Sequence, residues 1–379
     1  MTEDSGADGA REELSTEQDP PGERGLPQND PNSPQVTSDA SDVVSRETRD
    51  VGTPTVTRVR DLSELSPSLS DPYGAEPTPL AQAAEHMLLA RQGAQMREPL
   101  PRPEATRVVV VANQKGGVGK TTSTVNVAAA LAQLGQRVLV VDLDPQGNAS
   151  TAVAVEHRRG TPSTYDLLVE GRALREVVTR CPDVERLFVV PATIDLAGAE
   201  IELVSVVARE QRLHKALHAD PRISTEPVEV AGEDRFDFVF IDCPPSLGLL
   251  TINALVAGQE MLIPIQAEYY ALEGLGQLLS TVDMVRAHLN PDLAISAILV
   301  TMYDARTRLA AGVADEVRAH FGDQVLRTYI PRSVRVSEAP SYSQTVMTYD
   351  PGSPGAMSYL DAARELAQKG LRPQDGPAS

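Results

Sequence analysis

One stretch limits the fold more than any other: Arg107-Val-Val-Val-Val-Ala112, followed by Asn113-Gln114-Lys115-Gly116-Gly117-Val118-Gly119-Lys120-Thr121-Thr122. A run of β-branched residues ends at a glycine-rich loop, and a segment of helical periodicity opens on Lys-Thr. That order predicts a buried strand, a tight loop and a helix N-terminus. Glycines let consecutive backbone N–H groups turn toward a single anion. The helix start adds the positive end of its dipole.

The loop is a variant of the P-loop pattern Gly-x-x-x-x-Gly-Lys-[Ser/Thr], with Gln114 where the first glycine is usual. In this reading Gly116, Gly117, Val118, Gly119, Lys120, Thr121 and Thr122 cradle the phosphates of a nucleotide. Lys120 reaches the β- and γ-phosphates, and the Thr121 hydroxyl completes a Mg²⁺ shell. A tight structural turn would explain the glycines but not two lysines and a threonine converging on it.

Composition divides the chain. Residues 1–105 hold 20 of its 53 acidic residues and 9 of its 34 basic ones, with no lysine. Pro, Ser, Thr, Asp, Glu and Gly dominate there, too little apolar surface to offset chain entropy. The expectation is a disordered acidic extension over 1–105, with a possible short helix at 80–95. An ATPase domain is expected over 106–371 and a flexible tail over 372–379. The formal charge of −19 offers no global footprint for nucleic acid, although a local basic patch can act on an acidic protein. Cys181 and Cys243 lack metal-ligand spacing and read as reduced thiols. No apolar run reaches membrane-span length, and the polar N-terminus is unlike a signal peptide, so a cytoplasmic protein is expected.

From Thr106 onward strands alternate with amphipathic helices. Strands are expected at Arg107–Ala112, Arg137–Asp142, Leu187–Val190, Phe236–Ile241, Met261–Ile265, Ile295–Met302 and Val325–Tyr329. Helices are expected at Lys120–Leu134, Leu196–Ala219, Gly248–Leu255, Leu272–Leu289, Leu309–Phe321 and Gly355–Lys369. This alternation predicts an α/β fold, a doubly wound and mostly parallel sheet with helices on both faces. Right-handed crossovers then gather the loops at the strand C-termini along one edge.

Three carboxylates fall on that edge. Asp142 ends a strand and is the candidate on the metal side; Asp144, two residues on, is the candidate that positions water. Asp242 follows Phe238-Val-Phe-Ile241, a Walker-B arrangement whose carboxylate reaches Mg²⁺ through water. Pro244 and Pro245 stiffen the loop after it.

The loop KGGVGKTT, LDPQGN at 143–148 and FIDCPPSLG at 240–248 together resemble the deviant Walker-A ATPases of the ParA/Soj type, which partition chromosomes and plasmids. The resemblance runs from about Arg107 to Leu371 and includes Ile330-Pro-Arg-Ser-Val-Arg335. It implies a P-loop NTPase that binds ATP and Mg²⁺, forms a homodimer when ATP-bound and hydrolyses ATP. Lys115 would cross the interface to the partner's phosphates, which makes Lys115, Lys120 and Asp144 the catalytic candidates. Met302, Pro331 and Ser333 match the segment that packs adenine; the family often has Asn where Ser333 stands. The resemblance also implies nonspecific DNA binding, with Arg306, Arg332 and Arg335 as contacts, stimulation by a ParB-type centromere-binding protein, and a nucleoid-associated location with no membrane partner.

The alternative is a MinD-like membrane-cycling ATPase, which needs a basic amphipathic C-terminal helix; Ala362–Lys369 offers only Arg364 and Lys369. An iron-protein reductase would need cluster cysteines, and a tyrosine autokinase a C-terminal tyrosine cluster, where Tyr342, Tyr349 and Tyr359 are scattered.

Overall fold

The structure, a computed structural model, describes residues 99–268 and 275–369. The expected helix at 80–95 and tail at 372–379 lie outside the described residues, as does most of the acidic extension.

Among the described residues seven strands form one sheet: β1 Arg107–Val111, β2 Val138–Asp142, β3 Thr179–Arg180, β4 Leu187–Val190, β5 Phe238–Asp242, β6 Glu260–Gln266 and β7 Ala294–Thr301. Their order is β3-β4-β2-β5-β1-β6-β7. Every pairing is parallel except β3 with β4, where a two-residue edge strand runs antiparallel. β1, β2 and β5 are buried along their whole length, as strands covered on both faces must be. Alternate residues serve opposite faces: Val108 and Val110 join one apolar cluster, Val109 and Val111 the other. Each such side chain contributes on the order of 1.5–3 kcal/mol by leaving water.

The chain passes from β1 to β2 over the place later filled by β5. The C-terminus of β5 therefore lies between those of β1 and β2, with Val111 opposite Asp242 and Asp142 opposite Asp242. This arrangement puts the loops after β1, β2 and β5 side by side.

Helix α1, Lys120–Gln133, follows the glycine loop and is buried for most of its length. The last long helix, Pro354–Lys369, packs on it and buries Tyr359, Leu360, Ala363 and Leu366. Arg107 seals the end of that last helix by donating to the Leu366 and Ala367 carbonyls at 3.2 and 3.1 Å.

Two expectations fail for identifiable reasons. The Leu196–Ala219 helix is divided into Leu196–Leu203, a 3-10 turn at Arg209–Gln211 and Arg212–His218. Ala208 takes the left-handed conformation at φ 53°, and buried Asn253 accepts from Leu213 N and donates to Arg209 O. A side chain from another helix thus satisfies the backbone that the break exposes. The expected strand Val325–Tyr329 meets β7 only at an isolated bridge from Val325 to Ile298. The Arg327 and Thr328 amides instead donate to the Glu365 carboxylate, at 2.7 and 3.1 Å.

The folded body also starts before the composition changes at Thr106. Leu100 N donates to Leu134 O, and Arg102 pairs with Asp237 at 2.7 Å.

Candidate functional site: the strand C-terminal edge

The glycine loop has the geometry of an anion cradle. Gly117 and Gly119 adopt φ of 73° and 88°, which a side chain would strain. A Cβ placed on Gly116 or Gly117 would meet nothing within 4 Å, so the loop faces open space. Gly119 caps helix α1 with no side-chain hydrogen bond, and the first turn holds no acidic residue. The free amides and dipole of that turn are left for an external anion.

Lys120 is buried beneath the loop, and burial lowers its pKa while Asp242 partly restores it. Its ammonium donates to Lys115 O at 3.1 Å, so it is folded across the loop's inner side. Lys115 behaves differently. Its amide donates to Asn113 Oδ1 at 3.0 Å, while its half-exposed ammonium lies 3.6 Å from Glu268. The two lysines of one loop therefore point to two destinations.

Asp242 is fully buried and touches the first turns of α1. Thr124 Oγ1 donates to its Oδ1 at 2.9 Å, and the Thr121 hydroxyl favours its charged form. Its Oδ2 is buried and has no hydrogen-bond partner among the described residues. Burial, then repulsion from Asp142, pushes the Asp242 carboxyl up to about 8. A buried carboxylate with one orphaned oxygen beside a threonine hydroxyl suits a divalent cation, and Mg²⁺ commonly takes one carboxylate together with phosphates and water. Among the described residues no group of three His, Cys, Asp or Glu side chains could hold a metal by itself.

The sequence places Asp142 on the metal side. In the structure its oxygens are already engaged: Oδ1 accepts from Asp144 N at 3.2 Å, and Oδ2 from Ser150 N and Oγ at 2.9 and 2.7 Å. Asp142 is thereby the anchor of the 142–150 loop, and burial raises its pKa to about 6. Asp144 is buried as well, and its Oδ1 accepts from Gln146 N at 3.0 Å. Gly147, at φ 65°, allows the loop to close, since a Cβ there would fall 2.7 Å from His157.

The base-side candidates are brought together. Met302, the residue after β7, takes a left-handed conformation at φ 51°, a strained setting for a residue with a side chain. The turn sends Tyr303 N to Ile330 O at 2.9 Å and Arg332 N to Tyr303 O at 3.1 Å. Met302, Pro331 and Ser333 thus belong to two strips zipped by a bridge between Tyr303 and Pro331. Thr301 fastens this platform to the glycine loop by donating to Val118 O at 2.8 Å.

The three arginines are exposed, and each faces a carboxylate: Arg306 with Asp304 at 2.9 Å, Arg332 with Glu268 at 3.6 Å, and Arg335 with Glu338 and Asp350 at 3.3 and 3.5 Å. Thr124, Ser150, Glu268 and Thr301 escape the sequence reading. Only Thr124 carried a signal, one helical turn beyond Lys120 on the face that meets β5.

Comparison with known proteins agrees with this geometry. A family model described as an AAA domain matches residues 106–295. The sporulation initiation inhibitor protein Soj of Bacillus subtilis is 51% identical over 264 residues, 70% of this chain and 99% of that protein. The chromosome partitioning protein ParA of Myxococcus xanthus is 47% identical over 263 residues, 69% of this chain and 88% of that one. Among solved structures, the cobyrinic acid a,c-diamide synthase of Mycobacterium smegmatis with bound ATP analog and magnesium matches at TM-score 0.56. It is 37% identical, with 68% of this chain and 93% of that chain covered. The septum site-determining protein MinD of Pyrococcus horikoshii, complexed with Mg-ADP, shares the fold at TM-score 0.52 and 24% identity, over 69% of this chain and 95% of that chain.

Proposed function

This chain belongs to the Soj/ParA family of chromosome-partitioning ATPases, and from that premise we propose that it binds Mg²⁺ and ATP, dimerises on them, holds DNA without sequence preference and hydrolyses ATP when a ParB-type partner stimulates it. One observation carries the nucleotide part: an open glycine cradle over a buried lysine, beside a buried carboxylate with an unpartnered oxygen. Lys120 and the α1 amides hold the phosphates, and Mg²⁺ when bound neutralises the charge on them. Thr121 and Asp242 are the groups that would hold the ion. Asp142 fixes the loop that carries Asp144, and Asp144 orients the attacking water. Met302, Pro331 and Ser333 frame the base, with Lys115, Gly116, Gly117, Val118, Gly119 and Thr122 completing the nucleotide site.

Dimerisation rests on Lys115. Its ammonium stands at the loop's mouth, while Lys120 alone serves the inner side. A second cation there fits a partner's nucleotide better than its own. Arg306, Arg332 and Arg335 supply the DNA-facing charge once phosphates replace their carboxylates. In the ATP state the protein would reside on the nucleoid, in the cytoplasm.

The MinD-like alternative is disfavoured by the Pro354–Lys369 helix. Its apolar side chains are buried against α1, so they are not free to enter a bilayer. No described helix is long and apolar enough to cross a membrane.

ATPase activity measured with and without nonspecific DNA and with lipid vesicles, alongside ATP-dependent dimerisation, tests the reading. Dimers that form with ATP and are retained on DNA are expected. Activity that responds to vesicles and not to DNA would overturn it.

A further inference from the structure

Glu268 ties together three parts of the edge that the proposed reaction needs in register. One oxygen, Oε2, faces the Lys115 ammonium at 3.6 Å. The other, Oε1, faces Arg332 Nη2 at 3.6 Å and accepts from Gln266 Nε2. Gln266 ends β6, Lys115 begins the glycine loop, and Arg332 belongs to the strip that continues the base platform. A single carboxylate thus spans the phosphate end and the base end of one nucleotide site.

The backbone of Lys115 is fixed without it. Asn113 Oδ1 accepts from Lys115 N, and Asn113 Nδ2 is held by Pro264 O at 2.8 Å. What the backbone leaves free is the direction of a long side chain with several rotatable bonds, whose ordering opposes binding. Glu268 is the carboxylate within ion-pair distance of that ammonium among the described residues. Its pairs with Lys115 and Arg332 are half-exposed, so they are weak enough to be exchanged for a phosphate. A weak, correctly placed anion suits a group that must be aimed and then released.

We infer that Glu268 is the positioning residue for Lys115: it aims the ammonium outward from the loop and keeps it in step with Arg332 until a second copy of this chain brings its nucleotide. The inference rests on the reading of Lys115 as a contact to the partner copy's phosphates. Glu268 acts through Lys115 and is not itself a catalytic group.

The test compares Glu268→Gln, Glu268→Asp and Lys115→Ala in the full chain, with the ATP concentration for half-maximal dimerisation as the main readout. Binding of a fluorescent ADP analogue to the monomer is measured in parallel. Glu268→Gln should raise the dimerisation midpoint about two- to fivefold, the effect of losing exposed ion pairs, and leave ADP-analogue binding within twofold. The rise should shrink as salt is added, because the wild-type advantage is ionic. Glu268→Asp, which keeps the charge, should recover part of it. Lys115→Ala should lose dimerisation. If Lys115→Ala loses it while Glu268→Gln dimerises at or below the wild-type midpoint, the positioning role is overturned and the Lys115 reading survives. If Lys115→Ala dimerises normally, the Lys115 reading fails and the Glu268 role falls with it.

Discussion

Asp142 and Asp242 are register partners at the C-terminal ends of the adjacent parallel strands β2 and β5, both without exposed surface. Burial raises both pKa values, and repulsion from Asp142 adds to the rise at Asp242. They do not share the same duties, however. Asp142 is saturated by Ser150 and the Asp144 amide, whereas one Asp242 oxygen has no hydrogen-bond partner among the described residues. The pair stores an unfavourable interaction that a bound cation would relieve.

Asp242→Asn tests that statement in the absence of nucleotide and with chelator present. The folded protein holds the Asp242 proton up to about pH 8, while the unfolded chain loses it near the ordinary aspartate value of 3.8. Between those values the folded state binds more protons, so this group's contribution to stability falls as pH rises and levels off above about 8. The variant should lack that slope. It should therefore be more stable than the wild type near pH 8, by on the order of a few kcal/mol at most, and nearly equal below pH 4. Urea titrations at several pH values measure this. The same variant should lose magnesium-dependent ATP binding, and a variant no more stable at pH 8 would remove the repulsion argument.

Lys120→Ala should abolish useful nucleotide binding. The ammonium is buried, donates within the loop and would serve two phosphates. A charge-assisted hydrogen bond contributes roughly 1.5–3 kcal/mol, so losing one weakens ATP binding by about ten- to 150-fold, and losing two by about 10²- to 10⁴-fold. Calorimetry with a nonhydrolysable ATP analogue checks it. Because the change also removes a desolvated charge, the apoprotein should not lose stability.

Asp144→Ala should leave ATP binding and dimerisation in place and reduce turnover by about 10²–10⁴-fold, the range for a group that positions or activates the nucleophile. The Asp144 carboxylate holds the Gln146 amide, but the loop keeps its Asp142 anchor and the Gly147 turn. Long-lived ATP dimers in size-exclusion chromatography are the expected outcome. Rapid hydrolysis by this variant would dismiss the assignment.

Arg335→Glu should weaken DNA retention without changing ATP-dependent dimerisation. Arg335 already faces Glu338 and Asp350, so reversing its charge leaves three carboxylates together on an exposed face. Retention should fall severalfold at moderate salt, and the slope of log affinity against log salt should become shallower by about one. An unchanged slope would remove Arg335 from the phosphate contacts.

Much of this site could be read from the chain because its parts are local. Asp142 and Asp242 end buried strands, the glycine loop and Asp144 come shortly after one, and parallel topology alone brings those ends together. Contacts made by remote side chains could not be read. Glu268 meets Lys115 across some 150 positions, and Glu365 takes the Arg327 and Thr328 amides that would otherwise extend a strand. The division of Leu196–Ala219 was hidden similarly, since Asn253 offers the broken backbone a partner that periodicity cannot reveal.

The start of the folded body is the boundary where composition and structure differ, and truncation makes the difference measurable. Residues 1–105 are acidic overall and proline-rich, which sets the expected edge at Thr106. Yet Arg235, with no exposed surface, donates to Glu104 O at 2.6 Å and Pro103 O at 2.5 Å. Arg102 donates to Asp237 Oδ1 at 2.7 Å and to Arg235 O at 2.8 Å. Removing residues 99–105 would take two carbonyl acceptors from buried Arg235 and the Arg102 guanidinium from buried Asp237, leaving the two only each other, at 3.1 Å, and a few contacts within the body. Breaking such a buried network costs about 3–5 kcal/mol, a large share of a domain's total stability. A fragment starting at residue 99 should therefore melt within a few degrees of the full chain. One starting at Thr106 should melt about 6–20 °C lower, taking roughly 2–4 °C per kcal/mol for a body of this size. Thermal denaturation of the two fragments decides it: equal melting temperatures would place the boundary at Thr106 after all.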